Sequence, residues 1–396
     1  MKVYDLVAAL LSVAEKGANI ARIIRSESSL LELLVQEKKG KQKNERFLQD
    51  FKTLADVLVQ ELVKFDLKTK FPGMADSIHG EESTKFTNTL GDTVRVEIQD
   101  TPEETQNLLR QVLDENDTAA RILSKAIHIQ TAVKDAGLFA DQLDHDLIVD
   151  DLGVWIDPID STGQYIQGDI GQEEAGLVTE GLQCVSVLIG VYSKSTGLPI
   201  IGVINQPFAC LNDDGVWTGS AVWGVSIADL NLNSLALDSS SNSHLSSTSF
   251  PPQPDSDKST KQTILISSIE SQNIRDILAK NYNLRHISGA GNKLLGLSLG
   301  KAAGYVLTQN TIFKWDCCGP HAILRSLGGG IVAFSDFERL SLSEENDVCL
   351  LPQIMYNRQD VEGAVGAQKW CNHGGIVAYT SPTFLKELVS LFRPKT

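Results

Sequence analysis

The sequence predicts a mixed α/β (α+β) fold, and three observations carry that expectation. Roughly the first 70 residues place apolar side chains at helical spacing. The stretch from about residue 150 to 227 reads as strand-like apolar runs separated by turn residues. Beyond residue 263, strand-like and helical patterns alternate. At 396 residues the chain is long enough for two or three domains, or for one large layered unit. The pattern divides it into an N-terminal α+β domain over 1–230, a Ser/Pro-rich flexible insertion over 231–262 and a C-terminal α/β domain over 263–396.

Taken in order, the opening "MKVYDLVAALLSVAEKGANIARIIR" is amphipathic and helical. Its charges at Glu15, Lys16, Arg22 and Arg25 argue against a secretory signal, so no export is expected. "SLLELLVQEKK" and "FLQDFKTLADVLVQELVKFDL" read as two further helices, the second ended before Pro72. The basic run Lys38 to Lys43 between them serves either as a solvated connector or as an attractor of phosphate. "TVRVEIQ" alternates like a strand. Residues 102 to 135 look helical, opening with Thr101 as a cap, Pro102 in the first turn and acids that suit the helix dipole. "LGVWI" is a buried strand, "GLQCVSVLIGVYSKSTGLPIIGVINQPF" two strands around a turn, and "GVWTGSAVWGV" a shorter hairpin. After the Ser/Pro/Asp-rich segment come "QTILISSIES", a helical "NIRDILAKNY", "AAGYVLTQN" and "CGPHAILRSLGGGIVAF".

Composition removes several function classes. The 50 acidic residues outnumber the 35 basic ones, for a formal charge of −15, and no long Lys/Arg tract exists to follow a phosphate backbone; nucleic acid is not an expected partner. The apolar runs fall short of the roughly 18 residues of a membrane span, so the reading is a soluble, cytoplasmic protein without a membrane partner. The six cysteines form no CxxC pair, and neighbours such as Cys317 and Cys318 rarely bridge, so reduced thiols are expected. The histidines show no zinc spacing. Any metal must be held by oxygen.

Four stretches offer such oxygens. In "WIDPIDST", Asp157 ends an apolar strand, Pro158 keeps that residue extended, and Asp160 comes round in the following turn. Two close carboxylates share a proton, cap a helix or bind a cation. Ser161 and Thr162 then open a helix whose N–H groups could cradle an anion, although an Asx turn with an N-cap accounts equally for an isolated DxxDST. "HGEES" adds Glu81 and Glu82 in a loop, and "FKWDCCGPHAIL" places Asp316 before a helix. "FKTLADVLVQE" contributes Asp56, facing either solvent or the same pocket. Each alone is served by solvation or capping. Together they outline an all-oxygen site fed from distant segments, which suits magnesium. "GAGNK" adds Gly289, Ala290 and Lys293 in a small-residue loop that lets backbone approach a ligand, but matches neither a P-loop nor a dinucleotide fingerprint.

"GEES", "WIDPIDST" and "KWDCCGPHAILRSLGGGIV", in this order, resemble the magnesium-dependent, lithium-sensitive phosphomonoesterases that include inositol monophosphatase and fructose 1,6-bisphosphatase. Ser161 stands where that superfamily usually has glycine, and this serine form, with "FKTLADVLVQE" and "GAGNKL", is similar to the branch that acts on inositol polyphosphates. The resemblance implies a layered αβαβα sandwich of the sugar/inositol phosphatase type. It implies that Glu81, Asp157 and the Ile159 carbonyl hold one Mg2+, and Asp157, Asp160 and Asp316 another, with Glu82 and Asp56 in an outer acidic shell that takes a third metal or lithium as inhibitor. Glu81 and Thr162, with Asp56, would act on the attacking water. Ser161, Thr162 and Asp160 would contact the scissile phosphate or the ring, and Gly289, Ala290, Lys293 and Ser268 would take the ring and a second phosphate. The lysine that usually accompanies that last serine is absent from "ILISSIES". The implied reaction removes the 1-phosphate from inositol 1,4-bisphosphate and inositol 1,3,4-trisphosphate in a monomeric enzyme. The alternatives are a 3'(2'),5'-bisphosphate nucleotidase, an inositol monophosphatase, and a non-catalytic inositol-phosphate-binding relative.

Overall fold

The computed structural model describes residues 1–26, 35–37, 51–88, 90–129, 141–236, 261–343 and 347–393. Five layers alternate helix and sheet. The outermost consists of α1 (Val3–Ser26) and α2 (Leu54–Lys70), whose apolar faces, including Leu6, Leu10, Val13, Leu58 and Leu62, are wholly buried. Each such side chain contributes about 1.5–3 kcal/mol relative to exposure. Two further helices, α3 (Pro102–Val112) and α4 (Asp117–His128), join the same apolar cluster. Beneath lies a six-stranded sheet built from β1 (Ile78–Gly80), β2 (Leu152–Asp160), β3 (Ser186–Ser193), β4 (Pro199–Leu211), β5 (Trp217–Ile227) and β6 (Leu230–Asn233), in the order β6-β5-β4-β3-β2-β1. Only β1 and β2 run parallel; the other pairs are antiparallel.

The middle layer holds α7 (Ala290–Ser298) and α8 (Lys314–Ser326), which pack on the second face of that sheet, while the short helix α5 (Thr162–Gln167) packs toward α1 through Tyr165, whose hydroxyl donates to the Ala21 carbonyl. With both faces covered, every residue of β2 and β3 is buried, which is why 152–156 and 187–192 read as continuous apolar runs. The second sheet has the order β8-β7-β9-β11-β10, from β7 (Thr263–Ile266), β8 (Asn283–His286), β9 (Gly304–Leu307), β10 (Gly330–Ala333) and β11 (Ile376–Tyr379). It is mixed, with β7 parallel to both neighbours and β11 antiparallel to both of its own. The last layer is α6 (Gln272–Ala279), α9 (Phe334–Ser341) and α10 (Pro382–Phe392), buried against it through Ile274, Leu278, Phe337, Phe384 and Leu388.

Glycine sets the height of α8 above the first sheet. A Cβ on Gly190 or Gly202 would strike the backbone of Gly319, and a Cβ on Gly319 would lie 2.7 Å from the Ile189 carbonyl oxygen. Helix and sheet therefore meet backbone to backbone, and the start of α8 is held at a fixed distance from the end of β2.

Several local expectations change. Val35–Glu37 lies in a strand paired with Phe51–Thr53, not in a helix, while Lys38 to Lys43 lies outside the described residues. The second expected helix starts only at Leu54, because Thr53 and Asp56 form a capping box inside the run that looked continuously helical. Residues 102 to 129 hold two helices, interrupted where Asp114 and Glu115 adopt positive φ of 49° and 64°. "TVRVEIQ" pairs only over Thr93–Arg95. "GVWTGSAVWGV" is one arm of a long pairing with β4 and not a separate hairpin, since its register with that strand runs from Trp217 to Val225. Of the expected insertion, Asn231–Asn233 belong to β6 and 237–260 fall outside the described residues.

His321 in α8 is fully enclosed, bonded to the Tyr356 hydroxyl at 3.0 Å and to Gln353 Oε1 at 2.7 Å, and burial pushes its pKa down to about 3. Below the usual 6.5, the unfolded chain takes up a proton that the folded chain refuses. Stability should therefore fall as pH drops from 6.5 toward 3, by up to about 1.4 kcal/mol per unit from this one group. Urea midpoints at pH 7 and pH 5 test this: the difference should shrink in His321→Gln, and an equal difference in both proteins would refute it.

Candidate active site

The end of β2 is built around a bulge. Asp157 faces Leu188 across the ladder, while Asp160, three residues on, faces Ser186, only two residues back along β3. In a regular strand, residues three apart point to opposite faces; the one extra residue restores both acids to the same side. Pro158, which has no N–H to lose, occupies the bulge. Ser161 follows in the left-handed region at φ 72°, a conformation that favours glycine, and it starts α5 without a side-chain cap bond.

Other segments deliver their acids to this point. The Glu81 N–H donates to the Ile156 carbonyl at 3.2 Å, extending the β1–β2 pairing and bringing the acidic loop beside Asp157. The loop is clamped by Gln60, whose side-chain oxygen accepts from Glu82 N at 2.8 Å and whose amide donates to Glu82 O at 2.7 Å. Lys52 Nζ holds the same loop further on, at the Lys85 carbonyl (2.6 Å) and the Ser83 hydroxyl (3.2 Å). Asp56 and Asp316 arrive by a shared device: each is the third residue of its helix and bends back toward the cap. Asp56 Oδ2 accepts from Thr53 N and Oγ1, both at 2.6 Å, and Asp316 Oδ2 accepts from Phe313 N at 2.5 Å. Asp56 is 1% exposed, so it faces the protein and not solvent, and its Oδ1 lies 3.2 Å from the Thr162 hydroxyl. That hydroxyl is also 3.0 Å from the Ile159 carbonyl.

All of this opens into a cavity of about 770 Å3. Its walls contain Glu81, Glu82, Asp157, Ile159, Asp160, Ser161, Thr162, Ser268, Gly289, Ala290, Lys293 and Asp316, so every residue singled out from sequence lines it except Asp56, which joins it through Thr162. Carboxylate oxygens of Asp157, Asp160 and Asp316 all lie within 4.8 Å of one another. Asp157 is 2% exposed, and its Oδ1 is buried with no hydrogen-bond partner among the described residues. Burial first, and then the charges of Glu81, Asp160, Asp316 and Asp56, push its pKa well above the usual carboxylate range. A multivalent cation with oxygen preference fits such a donor set, which is otherwise a concentration of mutual repulsion.

Asp160 is buried in a different setting. Its oxygens accept from Ala290 N at 3.2 Å and Gly291 N at 2.9 Å, so the first amides of α7 point at this carboxylate. Burial raises its pKa, while the nearby Lys293 charge and these two amides oppose the rise. The small-residue loop is what admits this contact: a Cβ on Gly289 or Gly291 would lie 2.8 or 2.9 Å from Asp160 Oδ2. Lys293, itself 3% exposed, donates to the Gly289 carbonyl at 2.9 Å and lies 5.5 Å from the centre of the Tyr305 ring.

Sequence reading passed over several contributors. Gln60 sits one helical turn beyond Asp56, and that i, i+4 spacing was the available signal. Trp315 and Trp370 line the apolar wall, packed around Trp155 at centroid distances of 6.0 and 4.8 Å. Their grouping joins residues far apart in the chain, which no local pattern announces. The six cysteines are free thiols; burial raises the pKa of Cys317 and Cys318 well above normal, which leaves them inert. Among the described residues no helix is long and apolar enough to cross a membrane.

The chain is 42% identical over 399 residues to the inositol polyphosphate 1-phosphatase of Mus musculus, spanning 98% of each, and 41% identical over 391 residues to that of Homo sapiens, spanning 98% and 96%. It is 28% identical over 330 residues to 3'(2'),5'-bisphosphate nucleotidase 1 of Rattus norvegicus, covering 82% and 81%. The profile of the inositol monophosphatase family matches residues 6–353, through the strand, loop and helix that carry the acids, and the chain belongs to that family.

Proposed function

We propose that this family member, a phosphatase, removes the 1-phosphate from inositol 1,4-bisphosphate and inositol 1,3,4-trisphosphate in a magnesium-dependent, lithium-sensitive reaction. The observation that carries the reading is the convergence of Asp157, Asp160 and Asp316 within 4.8 Å, joined in one cavity by Glu81, in a chain 42% identical to an inositol polyphosphate 1-phosphatase. Glu81, Asp157 and the Ile159 carbonyl would hold one ion, and Asp157, Asp160 and Asp316 another. Magnesium held by these residues would neutralise the anionic ester and supply an activated water near neutral pH. Glu81 and the Thr162 hydroxyl orient that water, and Asp56, anchored by Thr53, fixes the direction of the Thr162 hydrogen bond. Ser161 and Thr162 contact the phosphate, while Lys293 balances part of the charge on Asp160. Gly289 and Ala290 form the wall against the ring. The free thiols suit a reducing, cytoplasmic setting.

The direct test compares phosphate release from inositol 1,4-bisphosphate, inositol 1-phosphate and 3'-phosphoadenosine 5'-phosphate, with magnesium, with chelator and with lithium. Turnover should favour the bisphosphorylated inositol, vanish on chelation and fall with lithium. Preference for the nucleotide would reassign the substrate, and turnover indifferent to chelation would sink the metal chemistry.

Two substitutions separate chemistry from folding. Asp157→Asn should lower kcat by roughly two to three orders of magnitude. The same change relieves the buried repulsion, so Tm of the metal-free protein should rise by about 1–3 °C, and magnesium should no longer raise it. An unchanged magnesium response in thermal melts would overturn the assignment. Gln60→Leu leaves both backbone groups of Glu82 without their clamp, at a cost of roughly 2–3 kcal/mol. Urea unfolding should show that loss, and the magnesium concentration for half-maximal activity should increase; a stable variant with normal magnesium dependence would remove the clamp from the site.

A further inference from the structure

The cavity has a further wall that neither the acids nor the small-residue loop supplies. Gly366, Ala367 and Trp370 line it, and they belong to the stretch between Tyr356 and β11. The regular structure of that stretch is limited to a 3-10 turn over Gly366–Trp370 and to Cys371, which bridges to Phe313. Gly363 and Gly366 take positive φ of 79° and 62°, and Val361 and Val365 are exposed. Such a segment has no ladder of its own to hold it, so its place against the cavity rests on a few side-chain anchors.

One buried lysine makes the principal anchor. Lys314, the first residue of α8, is 0% exposed, and its Nζ donates to Asp360 Oδ1 and to Asn372 Oδ1, both at 2.8 Å. Asp360 Oδ2 accepts in turn from His373 N at 3.2 Å. The two ends of the 360–372 loop are thereby closed on a single ammonium, in the compact form of an Ω-loop. An unpaired ammonium at that depth is strongly disfavoured, so the pairing is maintained. Trp370 ties the same loop to β1, its ring stacked on His79 at 6.2 Å between centroids. The acids of the site have supports of their own, since Asp316 is held by Phe313 N and the Glu81 backbone by the Ile156 carbonyl. The wall can therefore shift without displacing them.

Resting on the inositol phosphate reading above, we propose that Lys314 and Asp360 are positioning residues for the substrate: the pair closes the 360–372 loop so that Ala367 and Trp370 stand as a preset wall of the cavity. The wall is apolar and suits the carbon ring of the substrate, not its phosphates. A loop already ordered in the free enzyme spares substrate binding the cost of ordering it. Releasing the pair therefore weakens binding of the ring, whatever number of phosphates it carries, and leaves the metal requirement in place.

The experiment is steady-state kinetics on inositol 1,4-bisphosphate and on inositol 1-phosphate across a magnesium titration, joined to limited trypsin digestion, which reads the loop at Arg358 and Lys369. The variants are Asp360→Asn, Asp360→Ala, and the double change Lys314→Met with Asp360→Ala. The double change removes the charge that Asp360→Ala alone would leave buried and unpaired, so it keeps a folded protein with an unpinned loop. In it the KM for both substrates should rise by a common factor, roughly 5- to 20-fold, with most of the loss in KM and little in kcat. The magnesium concentration for half-maximal activity should stay near the wild-type value, and cleavage after Lys369 should quicken. Asp360→Asn, which keeps an oxygen acceptor for Lys314, should lose less than Asp360→Ala. An unchanged KM or unchanged cleavage in the double variant would overturn the proposal. So would a loss shared between kcat and the magnesium requirement, which marks a merely structural role. If the wild type acts on 3'-phosphoadenosine 5'-phosphate and on neither inositol phosphate, the substrate reading fails, while the same KM split measured on the nucleotide keeps the positioning role.

Discussion

The repulsion among carboxylates gathered at the end of β2 is the constraint around which the molecule is arranged. Asp157 is buried within reach of the charges of Glu81, Asp160, Asp316 and Asp56, at a depth where one unpaired charge is already costly. Such a cluster persists only when the scaffold over-determines each member. The bulge fixes Asp157 and Asp160 on one face, a capping box fixes Asp56, the Phe313 amide fixes Asp316, and Gln60 fixes the loop of Glu81 and Glu82. The helix caps thereby gain a second role. The hydrogen bonds that satisfy the orphan amides of α2 and α8 also orient two acids of the site.

Asp160 solves its part of the problem differently, and its solution joins the two sheets. It ends a strand of the first sheet yet is held by the leading amides of α7, which precedes β9 of the second. The cavity therefore lies where the two halves of the layered structure meet, with metal-type ligands on one wall and Ser268 and His286 on the other. The glycine contacts between α8 and the first sheet serve the same end, since a side chain at Gly202 or Gly319 would lift Asp316 away from Asp157. Packing and chemistry are coupled here through backbone distance, which adjusts little once helix and sheet are in contact. Trp315 and Trp370 give the cavity an apolar aromatic wall beside these acids.

Much of this was legible in order and little of it in space. Apolar periodicity, caps and turn residues located most helices and strands, and the acids of "GEES", "WIDPIDST" and "KWDCC" could be listed together because their residue types share one chemistry. The failures are local competitions. Val35–Glu37 pairs as strand despite an apolar run of helical spacing, since a run that short carries no decisive period, and the helix expected before Leu54 yields to a capping signal inside it. The sequence by itself determined the chemistry of the ligand set, the Pro-stiffened turn, and the absence of the usual lysine beside Ser268, because each is a matter of residue identity over a few positions. Only the tertiary structure decided that Asp56 faces inward, that the amides of the small-residue loop grip Asp160, and that Lys314 joins Asp360 to Asn372. Those relations depend on which helix covers which strand, and that arrangement arises from long-range packing between segments a hundred or more residues apart, as Asp56 and Thr162 are.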